Sequence, residues 1–129
     1  MIYVVLPAYN EEDALEPLCE KIAQTMQELD ADYQIVVGDD GSRDRTPEIL
    51  RELVHRYPMH VITHVRNRGL GETIRDCFEY VADTGTRHDI LVRMDCDDTH
   101  EPRYIIPMVE KLKAGYEVVI ASRYAPGGD

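Results

Sequence analysis

The chain has 129 residues, 43% of them hydrophobic, which suits one globular domain (residues 1–129) around a single core. Acidic residues number 25 against 14 lysines and arginines, and the resulting net charge of −11 excludes nucleic acid as a natural partner. Three cysteines without a CxxC spacing, and no apolar run near the ~20 residues that span a bilayer, predict a reduced, cytoplasmic, soluble chain.

Short β-rich runs alternate with amphipathic helical stretches, the pattern of repeated β-α units on a mostly parallel sheet, so the predicted fold class is α/β. Five strands are predicted, at about residues 2–6, 33–38, 60–65, 89–94 and 117–121. Apolar residues at helical spacing predict four helices, within residues 15–29, 46–57, 74–81 and 104–112. In the second helix Thr46 is expected to cap and Pro47 to take the first helical position. The last residues, 125–129, resemble the start of a loop, and we expect a C-terminally truncated sequence.

Polar and acidic residues follow three of the predicted strands. They stand in the segments 6–12 (LPAYNEE), 38–42 (GDDGS) and 94–98 (MDCDD). Ligands of parallel sheets collect at the carboxyl ends of the strands, where these segments converge. The sequence therefore predicts a polar, acidic site at that edge of the sheet.

Asp95 and Asp97 are the candidate metal ligands. They straddle one residue at a strand end, so both side chains can point to one side once the chain leaves the extended form. Crowded carboxylates repel each other unless some are protonated or a cation lies among them. Oxygen ligands of this kind suit Mg²⁺ or Mn²⁺, which complete their shells with water and substrate phosphates. A solvated turn is the alternative for a D-x-D alone.

Other candidates also have structural alternatives. Asp39 and Asp40 fit a turn with Asx-type hydrogen bonds as well as a binding site, Tyr9 fits a half-buried aromatic, and Asn10 fits a helix cap. Gly69 precedes a predicted helix, where glycine permits close approach and the helix N-terminus favours anions; a tight turn is the alternative.

Several motifs are missing from the sequence. No GxGxxG follows the first strand and no GK[ST] ends the 66–71 segment, so a dinucleotide-binding domain and a P-loop ATPase are not supported. The five histidines lack zinc-ligand spacing. Four of them, His64 included, are interpreted as ordinary, whereas His100 stands beside the acidic segment.

Five motifs in order carry a family resemblance. They are VVLPAYNEE (4–12), VVGDDGS (36–42), NRGLG (67–71), MDCD (94–97) and ASRY (121–124). Together they closely resemble family 2 glycosyltransferases of the GT-A fold, most of all the polyprenyl-phosphate (dolichol-phosphate) mannose or glucose synthases. The resemblance implies a Rossmann-like domain that is the N-terminal, donor-binding half of an inverting transferase using a UDP- or GDP-sugar.

The resemblance also implies roles for individual residues. Asp95 and Asp97 would hold Mg²⁺ or Mn²⁺ at the diphosphate, and Asp39 or Asp40 would hydrogen-bond the base or ribose. The expected donor-binding set is Pro7, Ala8, Tyr9, Glu11, Asp39, Asp40, Gly69, Asp95, Cys96 and Asp97. The acceptor would be a polyprenyl phosphate or a growing glycan, with the acceptor base and any membrane association supplied by sequence beyond this segment.

The match to the family departs at Thr99, where the polyprenyl-phosphate branch usually has glutamine, and that leaves the third metal contact open. The late motifs that bind acceptor are absent, so donor binding is expected of this chain and transfer is not. Three alternatives remain: a nucleotide-binding module without transfer activity, a sugar-nucleotidyltransferase and a haloacid-dehalogenase-type phosphotransferase. The second lacks its glycine-rich basic loop here, and the third expects its D-x-D after the first strand.

Overall fold

A computed structural model describes residues 1–86, 89–95, 105–107 and 109 of the chain. The elements in it are β1 (Ile2–Ala8), α1 (Leu15–Leu29), β2 (Tyr33–Asp40), α2 (Thr46–Leu53), β3 (Met59–His64), α3 (Leu70–Thr84) and β4 (Ile90–Arg93). Residues 105–107 and 109 are helical, within the stretch predicted as a fourth helix. The strand predicted at 117–121 lies outside the described residues. Across the described ranges, no helix is both long and apolar enough to cross a membrane.

The four strands form one parallel sheet in the order β3-β2-β1-β4. Parallel neighbours need a crossover connection, and α1, α2 and α3 supply one after each of the first three strands. The chain runs outward from β1 through β2 to β3 and then returns to add β4 on the other side of β1. The strand order thus reverses between β1 and β4, where open α/β sheets leave a crevice for ligands.

Side chains on the two faces of the sheet build separate cores. All seven residues of β1 are buried, and because successive side chains alternate, Val4 and Leu6 face α1 while Tyr3 and Val5 face α3. The two described cysteines, Cys19 and Cys77, are buried in these cores. Burial raises the pKa of Cys19 to about 12, so this thiol stays protonated and behaves as an apolar group.

The ends of the helices follow local rules, with one correction. α1 ends at Asp30, which takes the left-handed conformation and donates its N–H to carbonyls of the last turn. The expected cap at Thr46 is wrong, because α2 begins at Thr46 itself and Arg45 holds the cap position. The carboxylate of Asp44 accepts the Thr46 N–H at 2.8 Å and also a hydrogen bond from the Thr46 side chain.

Gly38 allows α3 to pack closely on β2. A Cβ added there would lie 2.5 Å from Cγ2 of Thr73 and 2.9 Å from Sγ of Cys77. Gly38→Ala is expected to lower the free energy of unfolding by about 1–3 kcal/mol, the usual cost of overpacking, as measured by urea denaturation. Gly71→Ala is the matched control, since a Cβ at Gly71 meets nothing within 4 Å. Equal stability of the two variants would contradict the close packing.

Candidate functional site

A cleft of about 340 Å³ opens at the carboxyl ends of β1, β2 and β4, beside the first turns of α3. It lies where the strand order reverses, the expected position for a ligand in this type of sheet. Its walls are formed by Pro7, Ala8, Tyr9, Glu11, Asp40, Asn67, Gly69, Leu70, Thr73 and Asp95.

The cleft gathers most of the residues expected to bind a ligand: Pro7, Ala8, Tyr9, Glu11, Asp40, Gly69 and Asp95. Asp39 is not among them, because successive strand residues point to opposite faces and Asp39 lines a separate depression beside α2. Of the alternatives Asp39 and Asp40, the structure therefore brings Asp40 to the cleft. Cys96 and Asp97 lie outside the described residues.

The loop after β1 is tied to the loop after β2 at Asn10. Asn10 has a positive φ of 53°, its N–H donates to the Ser42 hydroxyl at 2.9 Å, and its side-chain oxygen accepts the Arg43 N–H at 2.9 Å. The interpretation of Asn10 as a helix cap is therefore wrong; Ala14 holds the cap position of α1. Asparagine suits this place because its short polar side chain tolerates the left-handed region.

Three more hydrogen bonds join the same two loops. The Glu11 N–H donates to the buried Thr46 hydroxyl at 2.9 Å, the Glu12 N–H donates to Asp44 at 3.3 Å, and Glu12 in turn accepts the Arg45 N–H at 3.2 Å. Burial acts to raise the pKa of Asp44, but hydrogen bonds from Thr46 and Glu12 outweigh it and hold that pKa below the usual range. The wall of the cleft formed by residues 7–11 is thus fixed from behind.

Asp40 anchors the opposite wall of the cleft. Its Oδ1 accepts the Arg68 N–H at 2.8 Å and its Oδ2 accepts the Gly69 N–H at 2.9 Å. Burial acts to raise the pKa of Asp40, yet hydrogen bonds from His64, from these two amides and from Thr73 hold it below the usual range. Asp40 therefore stays ionised and holds the start of α3 in place.

The buried ring of His64 lies behind Asp40. Nδ1 is 2.8 Å from Oδ1 of Asp40, and Nε2 is 2.7 Å from Oδ2 of Asp76 on α3. The hydrogen bond to Asp40 raises the pKa of His64; burial opposes this, and Asp76 adds to it. The interpretation of His64 as an ordinary histidine missed these contacts. A signal was present, because β2 and β3 pair Asp40 with His64 at the ends of both strands.

Asp95 stands at the rim of the cleft just past β4, with its side chain 41% exposed. Nη2 of Arg93 lies 3.8 Å from its Oδ1. An ionised oxygen ligand open to the cleft fits Mg²⁺ or Mn²⁺, which accept one or two protein carboxylates and take further oxygens from water and phosphates. Within the described ranges no three metal-binding side chains cluster.

Comparison with known proteins gives consistent matches in sequence. The family model described as "Glycosyl transferase family 2" matches residues 3–129. The dolichol-phosphate mannosyltransferase of Pyrococcus furiosus is 38% identical over 127 residues, covering 98% of this chain and 34% of that protein. The undecaprenyl-phosphate 4-deoxy-4-formamido-L-arabinose transferase of Edwardsiella ictaluri is 34% identical over 120 residues, covering 92% and 35%. The chain thus spans about a third of the length of these curated relatives.

Solved structures share the fold at lower sequence identity. S. aureus TarS 1–349 in complex with UDP-GlcNAc has a TM-score of 0.63 and 19% identity, covering 88% of this chain and 31% of that one. The same protein in complex with UDP gives a TM-score of 0.63 with 88% of this chain covered. The likeness confirms the predicted α/β fold of the GT-A type.

Proposed function

Because the chain belongs to glycosyl transferase family 2, we propose that it is the donor-binding part of an inverting transferase that moves a sugar from a UDP- or GDP-sugar to a polyprenyl phosphate. The observation that carries the proposal is the cleft at the strand-order reversal, which brings the 7–11 segment, Asp40, Gly69 and Asp95 together. The family alone leaves the donor and acceptor open. The printed names of the relatives support a polyprenyl-phosphate acceptor, and the UDP-sugar complex of TarS supports the donor class.

In this proposal the nucleoside lies between the two fixed walls of the cleft. Tyr9 is 44% exposed and offers a ring face to the base or ribose, while Pro7 and Ala8 supply apolar contact beneath it. Asp40 contributes to the site by holding the backbone at Arg68 and Gly69, and it brings a negative charge to this wall of the cleft. Gly69 and Leu70 line the cleft where α3 begins, and a helix N-terminus favours the anionic diphosphate.

The diphosphate end lies toward Asp95, with Asp97 as the proposed second ligand of a Mg²⁺ or Mn²⁺ ion. When bound, the ion supplies Lewis-acid stabilisation of the charge on the departing diphosphate. The chain carries a net charge of −11, so an anionic donor needs such local compensation. Asp95 then acts by holding and orienting the ion, and Arg93 limits the repulsion between Asp95 and the phosphates.

Transfer itself forms one bond and breaks one. An acceptor phosphate oxygen attacks the anomeric carbon with inversion while the carbon–oxygen bond to the diphosphate breaks, releasing UDP or GDP. A phosphate oxygen is already anionic, so it needs no strong base from this chain. A growing glycan, the other acceptor considered, would carry a neutral hydroxyl and need one. The complete protein is proposed to work at the cytoplasmic face of a membrane, where a polyprenyl phosphate is held.

Calorimetric titration of the 129-residue chain with UDP and GDP tests the donor site. Each nucleotide is added with Mn²⁺, with Mg²⁺ and with a chelator, and ADP serves as a control for a mismatched base. We expect one of the two nucleotides to bind, and we expect it to bind only when the metal is present. Absence of binding by either nucleotide under all conditions would contradict the proposal for this chain. If nucleotide binds but the complete protein does not turn over the donor, the alternative of a binding module without transfer activity is correct.

A further inference from the structure

A histidine buried behind the cleft joins three elements of the fold. His64 ends β3, and its two ring nitrogens contact Asp40 at the end of β2 and Asp76 on α3 at 2.8 and 2.7 Å. Only 7% of His64 is exposed. Its ring does not line the cleft, whereas its partner Asp40 does.

We propose that His64 is a positioning residue whose doubly protonated ring ties Asp76 to Asp40 and thereby holds the 66–69 segment in the shape that binds the donor nucleotide. The inference rests on the proposed function, because it assigns His64 to the same cleft. It adds a consequence that the family does not imply: nucleotide affinity should follow the protonation of one buried side chain.

Two ionised carboxylates in these positions need two protons on the ring. A carboxylate oxygen accepts and does not donate, so each of the contacts at 2.8 and 2.7 Å needs an N–H on its ring nitrogen. A neutral imidazole has a single N–H, which would leave one nitrogen lone pair facing a carboxylate oxygen at hydrogen-bond distance. Loss of the proton therefore turns one of the two attractive contacts into a repulsive one.

The link from His64 to the cleft passes through two backbone amides. Oδ1 of Asp40 accepts from both His64 and the Arg68 N–H, and Oδ2 accepts the Gly69 N–H. Asn67 and Gly69 line the cleft on either side of Arg68. When His64 loses its proton, the ring no longer ties Asp76 to Asp40, and the amides that Asp40 holds lose that support.

The charged surroundings of His64 favour the protonated ring. Asp40 from β2 and Asp76 from α3 are the carboxylates in contact with it, and Nε of Arg75 lies 3.9 Å from the other oxygen of Asp76. Burial raises the pKa of the Cys77 thiol on α3 to about 11, which keeps it neutral, and the Arg66 and Arg68 side chains in the loop after β3 are exposed.

The direction of the pH effect follows from these contacts. Asp40, and after it Asp76, raise the pKa of His64 above its usual 6.5 against the opposing effect of burial. The contribution of the ionised bridge is therefore complete below pH 6.5 and is lost as the pH rises through the raised value. Nucleotide affinity is expected to fall in the same direction, by roughly tenfold for the loss of one charge-assisted hydrogen bond.

The experiment combines nitrogen NMR of the histidine rings with titration of UDP and GDP, in the presence of Mn²⁺, from about pH 6 to about pH 9. Four proteins are compared: the unaltered chain, Asp76→Asn, His64→Gln and the control Asp83→Asn, an exposed acid on the same helix. In the unaltered chain we expect both His64 nitrogens to be protonated at pH 7 and affinity to fall as the ring titrates. Asp76→Asn should move that fall to lower pH, and Asp83→Asn should leave it unchanged.

His64→Gln separates positioning from folding. Glutamine cannot become cationic, so the variant should bind nucleotide about tenfold more weakly at pH 6 and lose the pH dependence. If His64→Gln does not fold, the milder variant Asp76→Asn tests the inference through the shift in the pH profile of nucleotide affinity. The Asp76 side chain is 27% exposed. A singly protonated His64 ring at pH 7, or an affinity that ignores its titration, would overturn the inference.

Failure of the donor assignment is distinguishable from failure of this inference. If the unaltered chain binds neither UDP nor GDP, the proposed function fails for this chain. The role of His64 is then decided by hydrogen exchange of the Arg68 and Gly69 amides. Loss of their protection in step with the His64 titration supports the bridge, and constant protection overturns it.

Discussion

Replacing Asp95 with alanine is expected to abolish the metal-dependent binding of UDP or GDP. The carboxylate of Asp95 lines the cleft just past β4, and the chain's net charge of −11 leaves an anionic ligand dependent on a bound cation. Loss of a metal ligand should cost more than about 100-fold in nucleotide affinity, because even groups that merely support such ligands contribute roughly 10–100-fold. Calorimetry with Mn²⁺ measures the effect.

Asp13→Ala is the matched control for this substitution. Asp13 is an exposed acidic residue that does not line the cleft, and its removal changes the net charge by the same amount. Asp13→Ala should leave nucleotide affinity within about twofold of the unaltered chain, since surface charges far from a site act weakly. Retention of metal-dependent binding by Asp95→Ala would mean that the metal assignment is wrong.

Gly41→Ala is expected to destabilise the chain by about 3 kcal/mol, the largest effect on stability among the substitutions considered. Gly41 has a φ of +74°, which is unfavourable for any residue with a Cβ. An added Cβ would also lie 2.5 Å from the carbonyl carbon of Arg66 and from the nitrogen of Asn67. Both contacts are with backbone, so no side chain can rotate away, and overpacking adds about 1–3 kcal/mol to the strain.

Urea denaturation measures the loss, and two other glycine substitutions calibrate it. Gly69→Ala shares the positive φ but meets nothing within 4 Å, so it measures strain without a clash; at φ 101° and ψ 159°, a region almost reserved for glycine, that strain is about 1–3 kcal/mol. Gly71→Ala has neither problem and lies in the first turn of α3, where alanine is neutral or stabilises by less than about 1 kcal/mol. A loss in Gly41→Ala no larger than that in Gly71→Ala would contradict both the strain and the backbone clash at Gly41.

The four described strands were predictable because each is a short β-rich run between helical stripes. The prediction ended β1 at residue 6, whereas the strand continues to Ala8, with Pro7 paired to Gly38 and Ala8 to Asp39. Proline has no N–H for a ladder and normally marks a strand's end. It is tolerated here because β4 stops pairing with β1 at Val5, so no β4 residue pairs with Pro7. That stagger between neighbouring strands is a tertiary property, which the local pattern does not contain.

The site was predictable to the extent that it consists of strand ends. Pro7, Tyr9, Asp40 and Asp95 lie at or just past the ends of strands that meet at one edge, and the order of motifs was sufficient to find them. Thr73, which lines the cleft from α3, required the rotation of that helix on the sheet, and no periodicity marks it as different from its neighbours. The contact of Asp76 with His64 was missed for the same reason.

The hydrogen bonds between the loops after β1 and β2 are reciprocal, and this limits how donor specificity can be exchanged between relatives. Asn10 both donates to and accepts from the second loop, and so does Glu12. A chimera that receives residues 9–14 alone from another transferase would present side chains and amides to partners shaped for a different sequence. Grafting residues 9–14 together with 41–46 preserves both halves of each contact. The two loops, about 30 residues apart in the chain, therefore form one module for engineering and should vary together among homologues.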